Sequence, residues 1–213
     1  INNTNTDQTV IFTITASANG CLSTPITVEI IVLATPSISV SPVTQNRCNS
    51  IAINTISFSN PNSVAGTTYS WTRDNTANLT GIPSNGNGSS IDGILTNLTS
   101  TTQTTVFTIT APNGCYSTTT CSVNVYATLT APTINAAQTV CAFSTPAALT
   151  ITNPVTGGSG TNTYQWQSSL DNLTFTNIVG ANGLTYQPPF VNFGTDNTYY
   201  RLVVTNSCGT VTS

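Results

Sequence analysis

The sequence has very little charge. Its 213 residues include three basic and six acidic residues, and histidine and methionine are absent. The basic residues, Arg47, Arg73 and Arg201, are far apart in the sequence, so no positive stripe is available for a phosphate backbone, which argues against a nucleic acid partner. No run of eighteen apolar residues occurs, which argues against membrane insertion of this segment. The first residues also lack the pattern of a secretory signal, so we expect the true N-terminus to lie elsewhere.

The sparse acids also argue against catalysis. They occur singly, and no two form a close sequence pair that would suggest an acid and base dyad; they are Asp7, Glu29, Asp74, Asp92, Asp171 and Asp196. A glycosidase needs two facing carboxylates, and for Asp171 and Asp196 capping of turns is the favoured interpretation. Isolated acids disfavour calcium, and no CxxC or histidine spacing suggests a metal centre. We therefore predict a protein that is not an enzyme and needs no cofactor.

Threonine, serine and asparagine replace charge as the polar residues of the chain. Threonine favours strands, whereas asparagine and serine favour turns and disfavour helix interiors, so the composition predicts an all-β fold. The chain has few charges to protect exposed sheet edges from aggregation. This composition indicates a protein of the cell exterior.

Self-comparison reveals three partial copies of one repeat. The segment 8–16, QTVIFTITA, recurs as QTTVFTITA at 103–111, 95 residues later, and each copy continues to an Asn-Gly-Cys turn. Tyr69-Ser70-Trp71 recurs as Tyr164-Gln165-Trp166 at the same spacing, and Cys48 recurs as Cys141. A period of this length is typical of one immunoglobulin-like sandwich domain.

The repeats predict the domain organisation. We expect residues 1–34 to be the C-terminal part of a first repeat, 35–130 a complete repeat, and 131–213 a third that lacks most of its last strand. Pro36 and Pro132 lie where one copy passes to the next, and proline stiffens an extended linker. The sequence thus predicts tandem immunoglobulin-like β-sandwich domains in an extended rod.

Strand alternation and position predict the core. Phe12, Phe107 and Tyr200 lie at matching positions of the three copies, on the face that we expect to point inwards. Trp71 and Trp166 take the place of the core tryptophan of immunoglobulin-like sandwiches. Tyr186, Phe190 and Phe193 in the third copy are candidates for contact with a ligand, although packing of a strand-connecting corner on the core is the favoured interpretation.

Equal cysteine spacings predict two disulfides. Cys48 and Cys115 are 67 residues apart, as are Cys141 and Cys208, so we expect the same bond in two copies. Cys21 and Cys121 would remain unpaired in this sequence. A competing scheme joins neighbouring copies through Cys21–Cys48 and Cys115–Cys141, and a peptide map of the non-reduced chain distinguishes the two.

Several sequons have the form of N-glycosylation sites. Two of them are Asn2-Asn3-Thr4 and Asn97-Leu98-Thr99. We expect such sites to be exposed, although a chain rich in Asn and Thr also produces this pattern by chance.

The third copy carries the clearest family resemblance. Its segments TVC at 139–141, YQWQSS at 164–169, IVGA at 178–181 and TYYR at 198–201 resemble the Ig-like or PKD-like repeats of giant Bacteroidetes cell-surface adhesins. The second copy keeps only the framework of cysteines, Tyr-x-Trp strand and Asn-Gly-Cys turn. This resemblance implies export by type IX secretion, attachment at the outer membrane and, for the SprB-type adhesins, a role in gliding motility.

These observations predict a structural and adhesive segment of a long secreted filament. Its expected partners are neighbouring repeats of the same chain and an external surface or polysaccharide. The alternative is a carbohydrate-binding or stalk module of a secreted polysaccharide-degrading enzyme, which requires exposed aromatic side chains. Flanking sequence with a sorting domain or a hydrolase distinguishes the two functions.

Overall fold

The computed structural model describes residues 1–112, 115–194 and 197–213. Every regular element in these ranges is a β-strand, as the composition predicts. Within them, no helix has the length and apolar character needed to cross a membrane.

The first segment forms two antiparallel hairpins. Strand β1 (Gln8–Ile14) pairs with β4 (Ile26–Val32), and β2 (Ser17–Ala18) pairs with β3 (Cys21–Leu22). The whole of β1 is exposed, and Phe12 is 50% exposed. The prediction that Phe12 lies in the core is therefore wrong, because β1 pairs only with β4 in the described part of the chain and no second sheet covers it.

Ten strands follow among the described residues between 39 and 125. They are β5 (Ser39–Ser41), β6 (Thr44–Arg47), β7 (Ile56–Ser59), β8 (Ser70–Arg73), β9 (Leu79–Thr80), β10 (Asn85–Asn87), β11 (Ser90–Ile91), β12 (Thr96–Asn97), β13 (Gln103–Ala111) and β14 (Ser117–Val125). The larger sheet has the order β10-β8-β13-β14-β6, and a smaller sheet has the order β11-β7-β5. Strands β12 and β9 form a third pair.

Strand β13 supplies the centre of this core. Phe107, Ile109 and Ala111 alternate along it and are fully buried, which matches the face chosen from the sequence. Trp71 on the neighbouring β8 is also buried and meets the Phe107 ring edge to face, with centroids 5.7 Å apart. A strand with one face in the core and neighbours on both sides accounts for this alternation.

Arg73 is a buried cation held by backbone carbonyls. Its guanidinium donates to the carbonyl oxygens of Leu79 at 3.0 Å and Ile82 at 2.6 Å, and its Nε donates to that of Pro83 at 3.0 Å. Burial lowers the pKa of Arg73, and the nearby Asp74 charge opposes this shift. These bonds fix the loop that follows β8, so Arg73 has a structural role.

Seven strands lie in the described part of the third repeat. They are β15 (Thr133–Ile134), β16 (Leu149–Asn153), β17 (Thr163–Ser169), β18 (Thr176–Asn177), β19 (Thr185–Tyr186), β20 (Tyr199–Asn206) and β21 (Gly209–Thr212). One sheet has the order β18-β17-β20-β21 and the other β15-β16-β19. Trp166, Leu202, Val204 and Leu149 form the buried core, and Tyr200 is half-buried against it.

An asparagine side chain fixes the approach to the long strand in two copies. Asn97 donates to the carbonyls of Thr101 and Val125 at 2.8 and 2.9 Å, and its Oδ1 accepts bonds from the backbone and hydroxyl of Thr99. Asn2, 95 residues earlier, makes the same set of bonds with Thr6, Val32 and Thr4. Asn97 is buried, so this sequon serves the fold and is not an exposed glycosylation site.

The chain divides into two compact units that cut across the sequence repeats. The first contains residues 1–45, 52–94 and 104–123, and the second contains residues 46–51, 95–103 and 124–213. The end of the middle repeat therefore belongs to the same unit as the third repeat. The sequence boundaries at 34/35 and 130/131 stay predictions.

Candidate functional site at the repeat junction

A disulfide joins two consecutive repeats within the second compact unit. Cys48 follows β6 in the middle repeat, and Cys208 lies in the turn between β20 and β21 in the third. Their Cα atoms are 5.3 Å apart and their sulfurs are bonded. The bond lines a cleft together with Arg47 and Tyr126.

This bond corrects both predicted disulfides, since Cys115 and Cys141 are free thiols. Strands β6 and β14 run parallel, because the Ser122 amide bonds to the Val43 carbonyl and the Tyr126 amide to that of Arg47. Cys48 thus lies beside the end of β14, whereas Cys115 precedes its start. The strand is nine residues long, about 30 Å, far beyond the roughly 7 Å that a disulfide spans.

Cys141 and Cys208 are also separated by a strand of the third repeat. The Phe143 amide bonds to the Val191 carbonyl, which places Cys141 near the segment that precedes β20. Cys208 follows the other end of that strand. Equal spacing in sequence thus reflects equivalent positions in the two repeats and does not identify a bonded pair.

The remaining thiols differ in environment. Cys21 and Cys141 are exposed, Cys115 is partly exposed, and Cys121 is buried in β14. Burial raises the pKa of the Cys121 thiol to about 11, so little thiolate forms near neutral pH. Neither bond of the competing scheme, Cys21–Cys48 or Cys115–Cys141, is present.

A glycine-rich loop of the third repeat holds the linker that enters it. The Thr130 amide bonds to the Thr156 carbonyl at 2.9 Å, and the hydroxyl groups of these residues lie 2.8 Å apart. The Gly158 amide bonds to the Ala127 carbonyl at 2.9 Å. Pro132 and Ala127 are buried, so this linker is a packed part of the unit.

Two glycines allow the loop to approach its neighbours closely. Gly157 and Gly158 have positive φ angles of 75° and 68°. A Cβ on Gly157 would overlap the Thr128 carbonyl, and one on Gly158 would overlap the Asn206 side chain. Side chains at both positions would be strained and crowded, so this close contact requires glycine at residues 157 and 158.

The earlier linker is held by a related loop in the first compact unit. Asn62 donates to the Thr35 carbonyl at 2.8 Å and accepts a bond from the Ser37 amide at 2.9 Å. Pro36 is fully buried. Both holding loops begin with an Asn-Pro pair, at residues 60–61 and 153–154. Both linkers are therefore held by a loop of this kind, the earlier one through the Asn62 side chain and the later one mainly through backbone groups.

The structure separates the three aromatic residues suggested for ligand contact. Tyr186 packs between Trp166 and Tyr200, with ring centroids 6.0 and 5.7 Å away, because the pairing of β19 with β16 places it over the core. Its assignment as a ligand contact is therefore corrected. Phe190 is half-exposed and Phe193 is 84% exposed.

Phe143 joins this exposed aromatic group, which the sequence reasoning missed. Its amide bonds to the Val191 carbonyl, so it lies beside the segment that contains Phe190 and Phe193. Phe143 is largely exposed and has a φ of 61°, which is rare for a bulky residue. An aromatic residue between Cys141 and Ser144 was the available sequence signal.

Asp171 and Asp74 each accept backbone hydrogen bonds. Asp171 accepts bonds from the Ser169 hydroxyl and the amides of Leu173 and Thr174, and these bonds hold the pKa of its carboxyl well below the usual range. Asp74 accepts a bond from the Val106 amide. Asp196 lies outside the described residues. Across residues 1–112, 115–194 and 197–213, no group of three His, Cys, Asp or Glu side chains is placed to hold a metal.

Comparisons with known families cover the last two repeats. Residues 45–131 match a family described as a PKD-like domain. Residues 130–213 match a family described as a domain of unknown function (DUF8696). No curated protein matches the chain.

Several solved structures of tandem domains are similar to the chain. Domains A168–A170 of titin have a TM-score of 0.45 at 15% identity, covering 94% of this chain and 70% of that one. The IG1 and IG2 domains of DIP-gamma have a TM-score of 0.43 at 10% identity, covering 84% and 95%. Mouse cadherin-23 domains EC22–24 have a TM-score of 0.34 at 15% identity, covering 97% and 72%.

The strands, their sheets and the PKD-like match agree on the fold. The Bacteroidetes adhesin assignment goes beyond these findings. The chain is an all-β protein of immunoglobulin-like sandwich repeats, and its residues 45–131 match a PKD-like domain.

Proposed function

We propose that this chain is a load-bearing segment of a long secreted cell-surface filament. The observation that carries the proposal is the Cys48–Cys208 disulfide, which links consecutive repeats. The bonded cysteines are 160 residues apart in sequence. Closing a loop of this length disfavours the unfolded chain by about 5 kcal/mol from loop-closure entropy, and the bond persists only in an oxidising compartment.

The disulfide changes the path that tension takes through the chain. When the two ends are pulled apart, force passes from Cys48 to Cys208 through the covalent bond. Residues 49–207 are then outside the loaded path, although they contain most of two repeats. A filament built this way resists extension even when its sandwiches are only marginally stable.

Single-molecule force spectroscopy tests this function. The 213-residue chain is held at its two ends and stretched with and without a reductant. We expect reduction to add about 550 Å of extension, because the 160 residue-to-residue steps from Cys48 to Cys208 are released at about 3.3–3.6 Å each. Equal extension of the oxidised and reduced chains would contradict the load-bearing function.

Matched variants control for effects of the reductant. C48S should show the longer extension without any reductant. C21S removes an exposed thiol that forms no bond in this chain, so it should stretch like the unchanged protein. If C21S also gained extension, the effect would not come from the junction.

The cellular setting of the filament is a further part of the proposal. The disulfide supports an extracellular location, and the resemblance of the third repeat supports export by type IX secretion and attachment at the outer membrane. A gliding adhesin of the SprB type is the form of filament that this resemblance favours. Surface labelling of the protein tests its location, and spreading assays on cells that lack the gene test its role in motility. Surface attachment that is unchanged in cells that lack the gene would contradict this setting.

A second candidate function is weak binding of a surface polysaccharide, in an adhesin or in an enzyme's carbohydrate-binding or stalk module. The observation that favours it is the exposed aromatic group Phe143, Phe190 and Phe193. Aromatic faces pack against the apolar faces of sugar rings, and many weak sites in one filament add avidity. F190A and F193A should lower binding on a glycan array, whereas L173A, which removes another exposed apolar residue, should not. Binding unchanged in both aromatic variants would exclude this site.

A further inference from the structure

The cysteines other than Cys121 fall into two sets, and the members of each set occupy equivalent positions in the repeats. Cys48 and Cys141 occupy the same position in successive repeats and are named here the leading cysteines. Cys21, Cys115 and Cys208 follow the long strand or its equivalent and are named the trailing cysteines. The observed bond joins the leading cysteine of one repeat to the trailing cysteine of the next.

The position of each set explains why neighbouring repeats pair. The leading Cys48 lies beside Tyr126, at the end of the last strand, where the chain leaves its repeat. The trailing Cys208 lies in the turn that the glycine-rich loop contacts, since the Ser207 amide bonds to the Ser159 carbonyl. That loop also holds the incoming linker. A leading cysteine thus faces the following repeat, and a trailing cysteine faces the preceding one.

The free thiols fit this pattern. Cys141 is a leading cysteine that is exposed and unbonded, and Cys21 and Cys115 are trailing cysteines that are also unbonded. Buried Cys121 belongs to neither set. Every unbonded member of the two sets would need a repeat other than the two that Cys48–Cys208 joins.

We propose that Cys141 is a disulfide site for the trailing cysteine of a further repeat of the same kind. By the same rule, Cys21 and Cys115 are sites for leading cysteines of preceding repeats. In each bond, two thiols lose their protons and together give two electrons to a disulfide oxidant, whose own S–S bond breaks to leave two thiols. This inference concerns covalent structure and does not depend on the proposed function.

Such bonds would form an overlapping series. The loop closed by Cys48 and Cys208 contains Cys141, from which the next loop would begin. Residues 141–208 would then lie in two closed loops at once. Successive repeats would be joined covalently throughout the array.

A lengthened chain tests the site. A second copy of residues 121–213 is added after Ser213, because Thr120 and Ser213 are equivalent positions of the repeats, so the copy continues in register and adds one repeat. The protein is oxidised with oxidised glutathione, alkylated, digested and mapped by mass spectrometry. We expect original Cys141 to be bonded to the Cys208 of the added copy, with Cys48–Cys208 unchanged.

Two variants of the lengthened chain are controls. C208S in the added copy alone should leave original Cys141 free for alkylation. C141S in the original copy should leave the added Cys208 free. Bonding of original Cys141 to the Cys208 of its own repeat, or a free Cys141 in the folded lengthened chain, would overturn the proposal.

The 213-residue chain provides a second test that does not require the added repeat to fold. Under native conditions Cys141 should react with a thiol reagent as rapidly as exposed Cys21, and Cys121 should react only on unfolding. Protection of Cys141 to the level of Cys121 would mean that it is buried or bonded within its own repeat. That result would also overturn the proposal.

Discussion

Strands β1 and β13 have nearly the same sequence and opposite environments. Both contain the Phe-Thr-Ile-Thr segment, yet Phe12 is 50% exposed and Phe107 is fully buried. Strand β13 lies between β8 and β14 in a five-stranded sheet, whereas β1 pairs with β4 alone in the described part of the chain. Local sequence therefore sets the strand and its pairing, and the surrounding sheets set its burial.

Truncation of the two phenylalanines should separate the environments most clearly. F107A should lower the free energy of unfolding by about 3–5 kcal/mol, because it leaves a cavity in the core. F12A should cost less than about 1 kcal/mol, because its side chain is already half in water. Urea unfolding monitored by tryptophan fluorescence and circular dichroism measures both, and equal losses would contradict the assigned burial.

Alanine variants of the equivalent Asn97 and Asn2 should also differ in the free energy of unfolding that they lose. The larger loss is again expected in the middle repeat, but the difference should be smaller than for the two phenylalanines. N97A leaves the carbonyls of Thr101 and Val125 without their buried donor and should cost about 2–3 kcal/mol. N2A removes the same bonds at a half-buried position, where water replaces the lost donor, so we expect about 1 kcal/mol or less. Urea midpoints of the two variants check this order, and a larger loss for N2A would reverse it.

The core tryptophans of the two later repeats should show the smallest difference. Trp166 donates through Nε1 to the Gly183 carbonyl at 3.0 Å, whereas Trp71 Nε1 is buried without a hydrogen-bond partner among the described residues. W166F should therefore cost about 1 kcal/mol more than W71F. Thermal unfolding of the two variants measures the difference, and a larger loss for W71F would contradict it.

The sequence carried enough information for the strand class and the core of the last two repeats. Thr content favoured strands, Asn and Ser content favoured turns, and alternation placed Phe107 and Ile109 on the buried face. The Tyr-x-Trp segments placed both tryptophans correctly in the core. The same alternation pattern wrongly placed Phe12 in the core, because burial depends on neighbouring sheets as well as on the sequence of the strand itself.

The junction was predictable only in part. Pro36 and Pro132 marked the predicted linkers, whereas the loops that contact these segments were not recognised in the sequence. Equal cysteine spacings identified equivalent residues and suggested a bond inside each repeat. The parallel pairing of β6 with β14 places Cys48 and Cys115 at opposite ends of β14. The number of residues between two cysteines does not reveal this arrangement.

The disulfide map of the 213-residue chain tests the central claim most directly. The folded protein is alkylated without reduction, digested and examined by mass spectrometry. One cross-linked pair of peptides, containing Cys48 and Cys208, is expected, with Cys21, Cys115, Cys121 and Cys141 all alkylated when the reagent is added in denaturant. A bond between Cys48 and Cys115, or between Cys141 and Cys208, would contradict it.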